Sequence, residues 1–266
     1  MNIGVIDTSA TLGRSWLHRA SPRSKLVAFA LVLAAVVVSF NVLVLAAIAL
    51  VLAAAVFSAN LNPKLAFGLA AYPAIFAVIF AFASAPDVAT ALTIVLKAVS
   101  AALAAVIVAL TTPYPQIFAP IQRVVPSVVG DALLMTYRSM FLILEKFSDL
   151  LRAVRLRSGF SAGNRTRAVA GTARALGGLL LYSVDLAQRD YDIMRVRGYE
   201  GRLRVRLPKS VRPAMDAALV VAAFALLAMS VLWRVNWQVL NPYSWLPLVP
   251  AMLLFASAML VRWRSS

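Results

Sequence analysis

The sequence contains no cysteine, and its single histidine is His18. The absence of cysteine excludes disulfide bonds, metal sites built from thiolates and catalysis by a cysteine nucleophile. A single histidine also excludes any metal site that needs several imidazole ligands. We therefore expect no cofactor and no metal centre of these kinds.

The sequence also lacks the signatures of nucleotide hydrolysis and of ion-coupled transport. No segment resembles the glycine-rich loop, ending in lysine, with which many ATPases hold phosphate. Ion-coupled carriers usually place acids or histidines inside the membrane, but the only clear charge within the apolar stretches is Lys97. This lysine can contact a partner or a substrate, or it can extend its long stem to the lipid headgroups. We therefore expect that the chain is not an enzyme.

Apolar side chains are abundant, because they make up 62% of the 266 residues and give a mean hydropathy of +0.85. Soluble domains contain roughly 45–50%, so an all-α membrane protein is predicted, with about six transmembrane helices of ~20 residues each. The six apolar stretches are residues 26–40, 42–59, 65–84, 88–112, 214–233 and 245–262. The first two are separated only by Ser39, Phe40 and Asn41, so a hairpin of two helices and one long tilted helix are both open.

Basic residues outnumber acidic ones, with 26 Lys and Arg against 10 Asp and Glu and a net charge of +16. Such an excess can attract nucleic acid, anionic lipid or an acidic protein, and its position decides among them. In membrane proteins, short loops rich in Lys and Arg remain in the cytoplasm. If the first span starts on the cytoplasmic side, nearly all Lys and Arg outside the six spans lie on that side. This distribution predicts a multi-pass protein of the cytoplasmic membrane, with both termini in the cytoplasm, a lipid bilayer around it and no nucleic-acid partner.

The spans divide the chain into a membrane region of four spans at residues 1–112, a cytoplasmic domain at residues 113–213 and a membrane region of two spans at residues 214–266. Ahead of the first span, Ser21 and Pro22 predict a helix start, and we expect the basic side chains of this segment among the lipid headgroups. Four prolines at the start of the cytoplasmic domain predict short helices and turns.

Two long amphipathic helices are predicted in the cytoplasmic domain, over residues 131–157 and 165–196, from the helical spacing of their apolar residues. They can bury their apolar faces on each other or on a membrane partner. The first helix offers more apolar area than one helix contact needs, so we predict that a membrane-embedded partner covers part of its stripe. The residues of this predicted interface are Met140, Phe141, Leu144 and Phe147.

Both long helices end in an arginine that is followed within two residues by glycine. Arg157 precedes Gly159 and Arg197 precedes Gly198, so the two arginines are 40 residues apart. Glycine is a common helix stop, and a terminal arginine favours the helix dipole, so solvated helix ends explain the pattern. A guanidinium also fits the acidic side chains and carbonyls of a partner's groove, so docking explains it as well.

Four segments resemble the transmembrane T component of energy-coupling-factor (ECF) transporters, the family that includes the Q subunit of cobalt transporters. They are "WLHRASPRSKL", "TTPYPQI", "MTYRSMFLILEKFSDLLRAVRLRSG" and "IMRVRGYEGR", and together they extend the resemblance over nearly the whole chain. Two positions depart from the family pattern, since Ser158 separates Arg157 from Gly159 and Ser21 stands where aspartate is usual before Pro22.

The resemblance implies a scaffold that binds two cytoplasmic ABC-type ATPase subunits and a small membrane-embedded substrate-binding subunit, for uptake of a vitamin or a transition-metal ion. It implies that Arg157 and Arg197 contact the ATPases, and that Gly159 and Gly198 permit close backbone approach. A self-contained permease is the alternative, but it requires polar residues converging at mid-membrane, which the spans scarcely contain. A membrane-embedded enzyme is less favoured because no catalytic cluster is present.

Overall fold

The structure is a computed structural model that describes residues 8–11, 13, 15–122, 125–156, 165–199, 201 and 213–265. All regular secondary structure in these ranges is helical, so the all-α prediction is confirmed. The helices are α1 (Trp16–Arg19), α2 (Pro22–Val38), α3 (Val42–Ser58), α4 (Pro63–Ser84), α5 (Val88–Thr111), α6 (Tyr114–Ile121), α7 (Ser127–Leu156), α8 (Arg165–Val196), α9 (Pro213–Val235), α10 (Trp237–Leu240) and α11 (Leu248–Ser265), with a 3₁₀ turn at Asn241–Tyr243.

The number of membrane-crossing helices differs from the predicted six. Within the described ranges α4, α5, α7 and α9 are each long and apolar enough to cross a membrane, and α10 with α11 forms a bent pair that can supply a fifth crossing. Helices α2 and α3 coincide with predicted spans but have 17 residues each, which gives about 25 Å at the usual helical rise. Helix α7 was predicted to lie in the cytoplasmic domain. The chain is a multi-pass α-helical membrane protein.

Polar side chains define the starts of the first three long helices. The hydroxyl of Ser21 accepts from the backbone N–H of Ser24 at the start of α2, with Pro22 in the first turn as predicted. Asn41 and Asn62 accept backbone N–H groups at the starts of α3 and α4 in the same way. The predicted break between α2 and α3 is confirmed, so one long tilted helix is wrong. The two helices do not pack along each other as a hairpin, because α2 packs on α9 and α5 whereas α3 packs on α11 and α5.

The chain forms two compact units, and the first comprises Met1–Ile117 with Leu207–Ser266. Its core lies around α5, which packs against α2, α3 and α4. Helix α4 buries only small residues, namely Ala66, Ala70, Ala77 and Ala81, and this lets helix backbones approach closely as in membrane bundles. Its large side chains face outwards, and Phe82 is 94% exposed. Apolar surface of this kind requires lipid or a partner.

The segment before α2 is tied into the first unit, and Lys25 does not reach the headgroups as expected. Lys25 is only 3% exposed, and its Nζ donates to the carbonyl oxygen of Thr111 at 2.9 Å and to Oγ1 of Thr112 at 3.3 Å. Thr111 ends α5, so the ammonium meets the partial negative charge of a helix C-terminus.

His18 fixes the same segment to the end of α5. Its Nε2 lies 3.1 Å from the carbonyl oxygen of Leu110 and 3.2 Å from that of Ser9. Because both groups only accept, Nε2 is the protonated nitrogen, and Nδ1 accepts from the hydroxyl of Ser15 at 2.7 Å. Burial is the main cause that lowers the pKa of His18, so the ring is neutral at pH 7.

Candidate partner-docking site

The second unit, Phe118–Arg206, contains α7 and α8 packed against each other. A groove of about 580 Å³ runs between them. Met140 and Leu144 line it from α7, and Leu186 and Met194 line it from α8. The groove is therefore apolar along much of its length and is formed by the two helices predicted to couple partner subunits.

The four residues of the predicted stripe on α7 lie within about 120° of the helix circumference, and their surroundings differ. Met140 and Leu144 line the groove, whereas Phe141 stacks edge-to-face on Tyr137 at a centroid distance of 5.2 Å. Phe141 and Leu144 are three residues apart and are therefore neighbours on the helix surface. Phe147 is half-buried. Leu144 is exposed and is the member most accessible to a partner.

Helix α8 leaves its predicted apolar face open. Four residues of that face are each more than half exposed, namely Val169, Leu180, Val184 and Tyr191. The two long helices therefore do not bury these faces on each other, because α8 packs through smaller side chains such as Ala175, which is 2% exposed. Of the two arrangements considered from the sequence, burial of this face on the other long helix is therefore not observed, and burial on a membrane partner stays a prediction.

The C-terminal end of α8 is a Schellman motif centred on Gly198. The N–H of Tyr199 donates to the carbonyl oxygen of Met194 at 3.0 Å, and the N–H of Gly198 donates to that of Arg195 at 3.1 Å. This pair of hydrogen bonds requires a left-handed residue after the helix, and Gly198 has a φ of 73°. Glycine at this position therefore sets the backbone direction immediately after Arg197.

Arg197 is exposed at this helix end. Its guanidinium makes no hydrogen bond or ion pair with any residue that the structure describes. By contrast, Arg189 on the same helix is paired with Asp185 at 2.9 Å. Five N–H donors of Arg197 thus remain for a partner or for water.

Tyr199 anchors the chain just after this end to the start of α7. Its hydroxyl donates to Oδ2 of Asp131 at 2.6 Å, and Asp131 is only 5% exposed. Nε2 of Gln122 lies 3.4 Å from Oδ1 of the same carboxylate. The hydrogen bond to Asp131 is the largest cause that raises the pKa of Tyr199, so the phenol keeps its proton at pH 7. No sequence pattern pointed to Asp131, and the only signal for Tyr199 was its place as the aromatic residue after Gly198.

The first predicted motif, with Arg157, Ser158 and Gly159, lies outside the described residues. Helix α7 is described as far as Leu156. Within the described ranges, no group of three or more acidic or histidine side chains is placed to hold a metal ion.

Comparison with known proteins identifies the family. Residues 13–207 match the model of CbiQ, described as the cobalt transport protein family. The chain belongs to this family. A curated relative, the cobalt transport protein CbiQ of Rhodobacter capsulatus, is 32% identical over 107 residues, which make up 40% of this chain. The matched segment spans 42% of that relative's length.

Proposed function

We propose that this protein is the membrane scaffold and coupling subunit of an ECF-type ABC importer in the cytoplasmic membrane. In this role it binds two cytoplasmic ATPase subunits at the ends of α7 and α8, and a small membrane-embedded substrate-binding subunit on their apolar faces. The family and its curated relative support cobalt as the transported ion, and a vitamin is the other cargo considered. The cargo is substrate and is held by the substrate-binding subunit.

The observation that most strongly supports this proposal is the end of α8. Arg197 presents a guanidinium that makes no contact with the described residues, next to a chain direction fixed by Gly198 and Tyr199. A rigid fork of donors suits acidic side chains and carbonyl oxygens in an ATPase groove. A left-handed glycine also ends many solvated helices, so the feature that favours docking is the hydrogen bond from Tyr199 to the buried Asp131, which holds the chain just after Arg197.

Helices α7 and α8 also suit the transmission of movement. They contain 30 and 32 residues, which corresponds to roughly 45–50 Å of helix. When ATP binding draws the two ATPases together, helix ends docked in them must follow. The open face of α8 and Leu144 of α7 move with those ends, so a subunit seated on them is displaced. No bond is made or broken on this chain in such a cycle.

The test is ATPase pull-down and cobalt uptake for Arg157→Ala, Arg197→Ala and the double variant. A hydrogen bond to a charged group contributes about 1.5–3 kcal/mol, so each single change should weaken docking roughly 10- to 150-fold. The double variant should lose assembly or uncouple ATP hydrolysis from uptake. Arg197→Lys should also be impaired, because an ammonium group cannot reproduce the planar fork.

Arg195→Ala is the matched control, since Arg195 is exposed in the last turn of the same helix but is not the arginine that directly precedes Gly198. It removes one positive charge from the helix end and should leave assembly nearly unchanged. Equal losses of ATPase binding for Arg195→Ala and Arg197→Ala would mean that only the total positive charge of the helix end matters, and not the position of Arg197. Wild-type assembly and uptake by the double variant, at normal expression, would refute the assignment of both arginines.

A further inference from the structure

Two basic side chains from different helices of the first unit meet at the C-terminal end of α2. Lys97 of α5 donates from Nζ to the carbonyl oxygen of Val37 at 3.0 Å. Arg234 of α9 donates from Nη1 to the carbonyl oxygen of Val38 at 3.5 Å. Both also lie against the ring of Phe40, with Nζ 3.7 Å and Cζ 4.1 Å from its centroid. This arrangement brings two positive charges to one aromatic ring.

The described residues do not neutralise the charge of this pair. A helix C-terminus offers only about half a negative charge, and neither Lys97 nor Arg234 forms an ion pair with a carboxylate in the part of the chain that is described. Like charges at this separation repel, and the repulsion increases as water is replaced by protein and lipid. An anion from outside the chain would convert this repulsion into attraction.

A pocket of about 380 Å³ lies beside the pair. Its walls include Ser39, Phe40, Trp233, Arg234 and Trp237. Ser39 is only 2% exposed, and its hydroxyl makes no hydrogen bond within the described residues. Nε1 of Trp233 is also buried without a described acceptor. Buried donors are rarely left unpaired, so the pocket combines positive charge with donors that require an acceptor.

Aromatic side chains indicate the depth of this pocket in the membrane. Trp237, Tyr243 and Trp245 are all largely exposed, and they follow Arg234 in the chain at the end of α9. Exposed tryptophan and tyrosine residues concentrate at the level of lipid headgroups. Phospholipid phosphates lie at that depth, and among the acceptors there they are the ones that also carry the negative charge that the two cations favour.

We propose that the pocket beside Lys97 and Arg234 binds the phosphate of an anionic phospholipid. The two cations supply the charge, Ser39 supplies a hydroxyl donor, and the exposed tryptophan beside the pocket contacts the glycerol and acyl region. The site is distinct from the docking end of α8 and does not depend on the proposed transport function.

The experiment is a titration of the purified full-length protein with phosphatidylglycerol, followed by native mass spectrometry. The wild type should bind one phosphatidylglycerol molecule at least about tenfold more tightly than a variant carrying Lys97→Met and Arg234→Gln, since charge-assisted hydrogen bonds are lost. Arg262→Gln is the matched control. Arg262 also donates to a backbone carbonyl, that of Leu61 at 2.8 Å, and lies over an aromatic ring, but outside this pocket.

Ser39→Ala provides a second test that leaves both cations and the helix end intact. Its hydroxyl makes no hydrogen bond with the described residues, so removing it should not destabilise the lipid-free protein but should lower the affinity for phosphatidylglycerol. Unchanged lipid affinity in both the double variant and Ser39→Ala would overturn the proposal, as would an equal loss in Arg262→Gln. A parallel titration with inorganic phosphate separates the two sources of the anion. Stabilisation by phosphate without binding of phosphatidylglycerol would overturn the lipid assignment.

Discussion

Replacing Gly198 by alanine isolates the contribution of the α8 end to docking. Gly198 has a φ of 73°, and a Cβ built on it has no atom within 4 Å. The substitution therefore introduces no clash, and its cost is the backbone conformation alone. A left-handed conformation costs a residue with a Cβ about 1–2 kcal/mol. That energy raises the ratio of opened to intact helix end roughly 5- to 30-fold.

Gly177→Ala is the matched control, because the same substitution on the same helix should have the opposite sign. Gly177 lies inside α8 and its added Cβ also has no atom within 4 Å. Its backbone is helical, so alanine should stabilise the helix by about 0.5–1 kcal/mol. Gly198→Asn should be intermediate, since asparagine tolerates the left-handed region better than alanine does.

Hydrogen exchange measured by mass spectrometry on the end of α8 reports these populations directly. In Gly198→Ala the amide of Tyr199, which donates to Met194, should exchange about 5- to 30-fold faster, and ATPase affinity should fall because fewer molecules present Arg197 correctly. Gly177→Ala should leave exchange at this end unchanged or slower. Two outcomes would refute this role of Gly198: the Tyr199 amide of Gly198→Ala exchanges as slowly as in the wild type, or its exchange rate shifts in the same direction as in Gly177→Ala. The left-handed conformation of Gly198 would then not be what keeps the end of α8 intact.

Three further outcomes are expected. Tyr199→Phe should weaken ATPase pull-down, because the chain after α8 is then no longer held by Asp131. Tyr191→Phe, which changes an exposed phenol of α8, should leave pull-down unchanged. Equal effects of the two changes would exclude a positioning role for Tyr199. Leu144→Glu should release the substrate-binding subunit while the ATPases stay bound, and loss of both would instead indicate misfolding. Asn164→Cys, at a position outside the described residues, should resist a membrane-impermeant thiol reagent in intact cells, and ready labelling would contradict a cytoplasmic location.

Much of the helix pattern could be predicted because its causes are local. The second long helix was predicted at residues 165–196 and is observed at Arg165–Val196, since apolar periodicity and a terminal glycine are both short-range signals. The break between α2 and α3 was predicted from Ser39, Phe40 and Asn41, and it is present in the structure. Prolines predicted a short helix after the fourth apolar stretch, and α6 has 8 residues.

The contacts that position the site could not be predicted, because they join residues far apart in the chain. The hydroxyl of Tyr199 reaches Asp131 across 68 residues, and the N–H of Ser21 reaches Asp216 across 195. Periodicity carries no information about such partners. It also does not show that, within the predicted stripe on α7, Phe141 packs on Tyr137 whereas Leu144 lines the groove.

The basic residues of this chain serve two physical purposes that a charge count cannot separate. In the first unit, four cations each donate to a backbone carbonyl at or near the end of a helix, and these are Lys25, Lys97, Arg234 and Arg262. Such a cation offsets the helix dipole in a medium with little water, so it contributes to the fold even where, as at Lys97 and Arg234, part of its charge remains for an external anion. Arg197 also stands at a helix end, yet its side chain makes no such contact with the described residues. Its own backbone end is already satisfied by the Schellman hydrogen bonds. The guanidinium of Arg197 therefore contributes little to the stability of the fold. Its hydrogen bonds can instead contribute to the affinity for a partner that brings a carboxylate or a carbonyl oxygen to it.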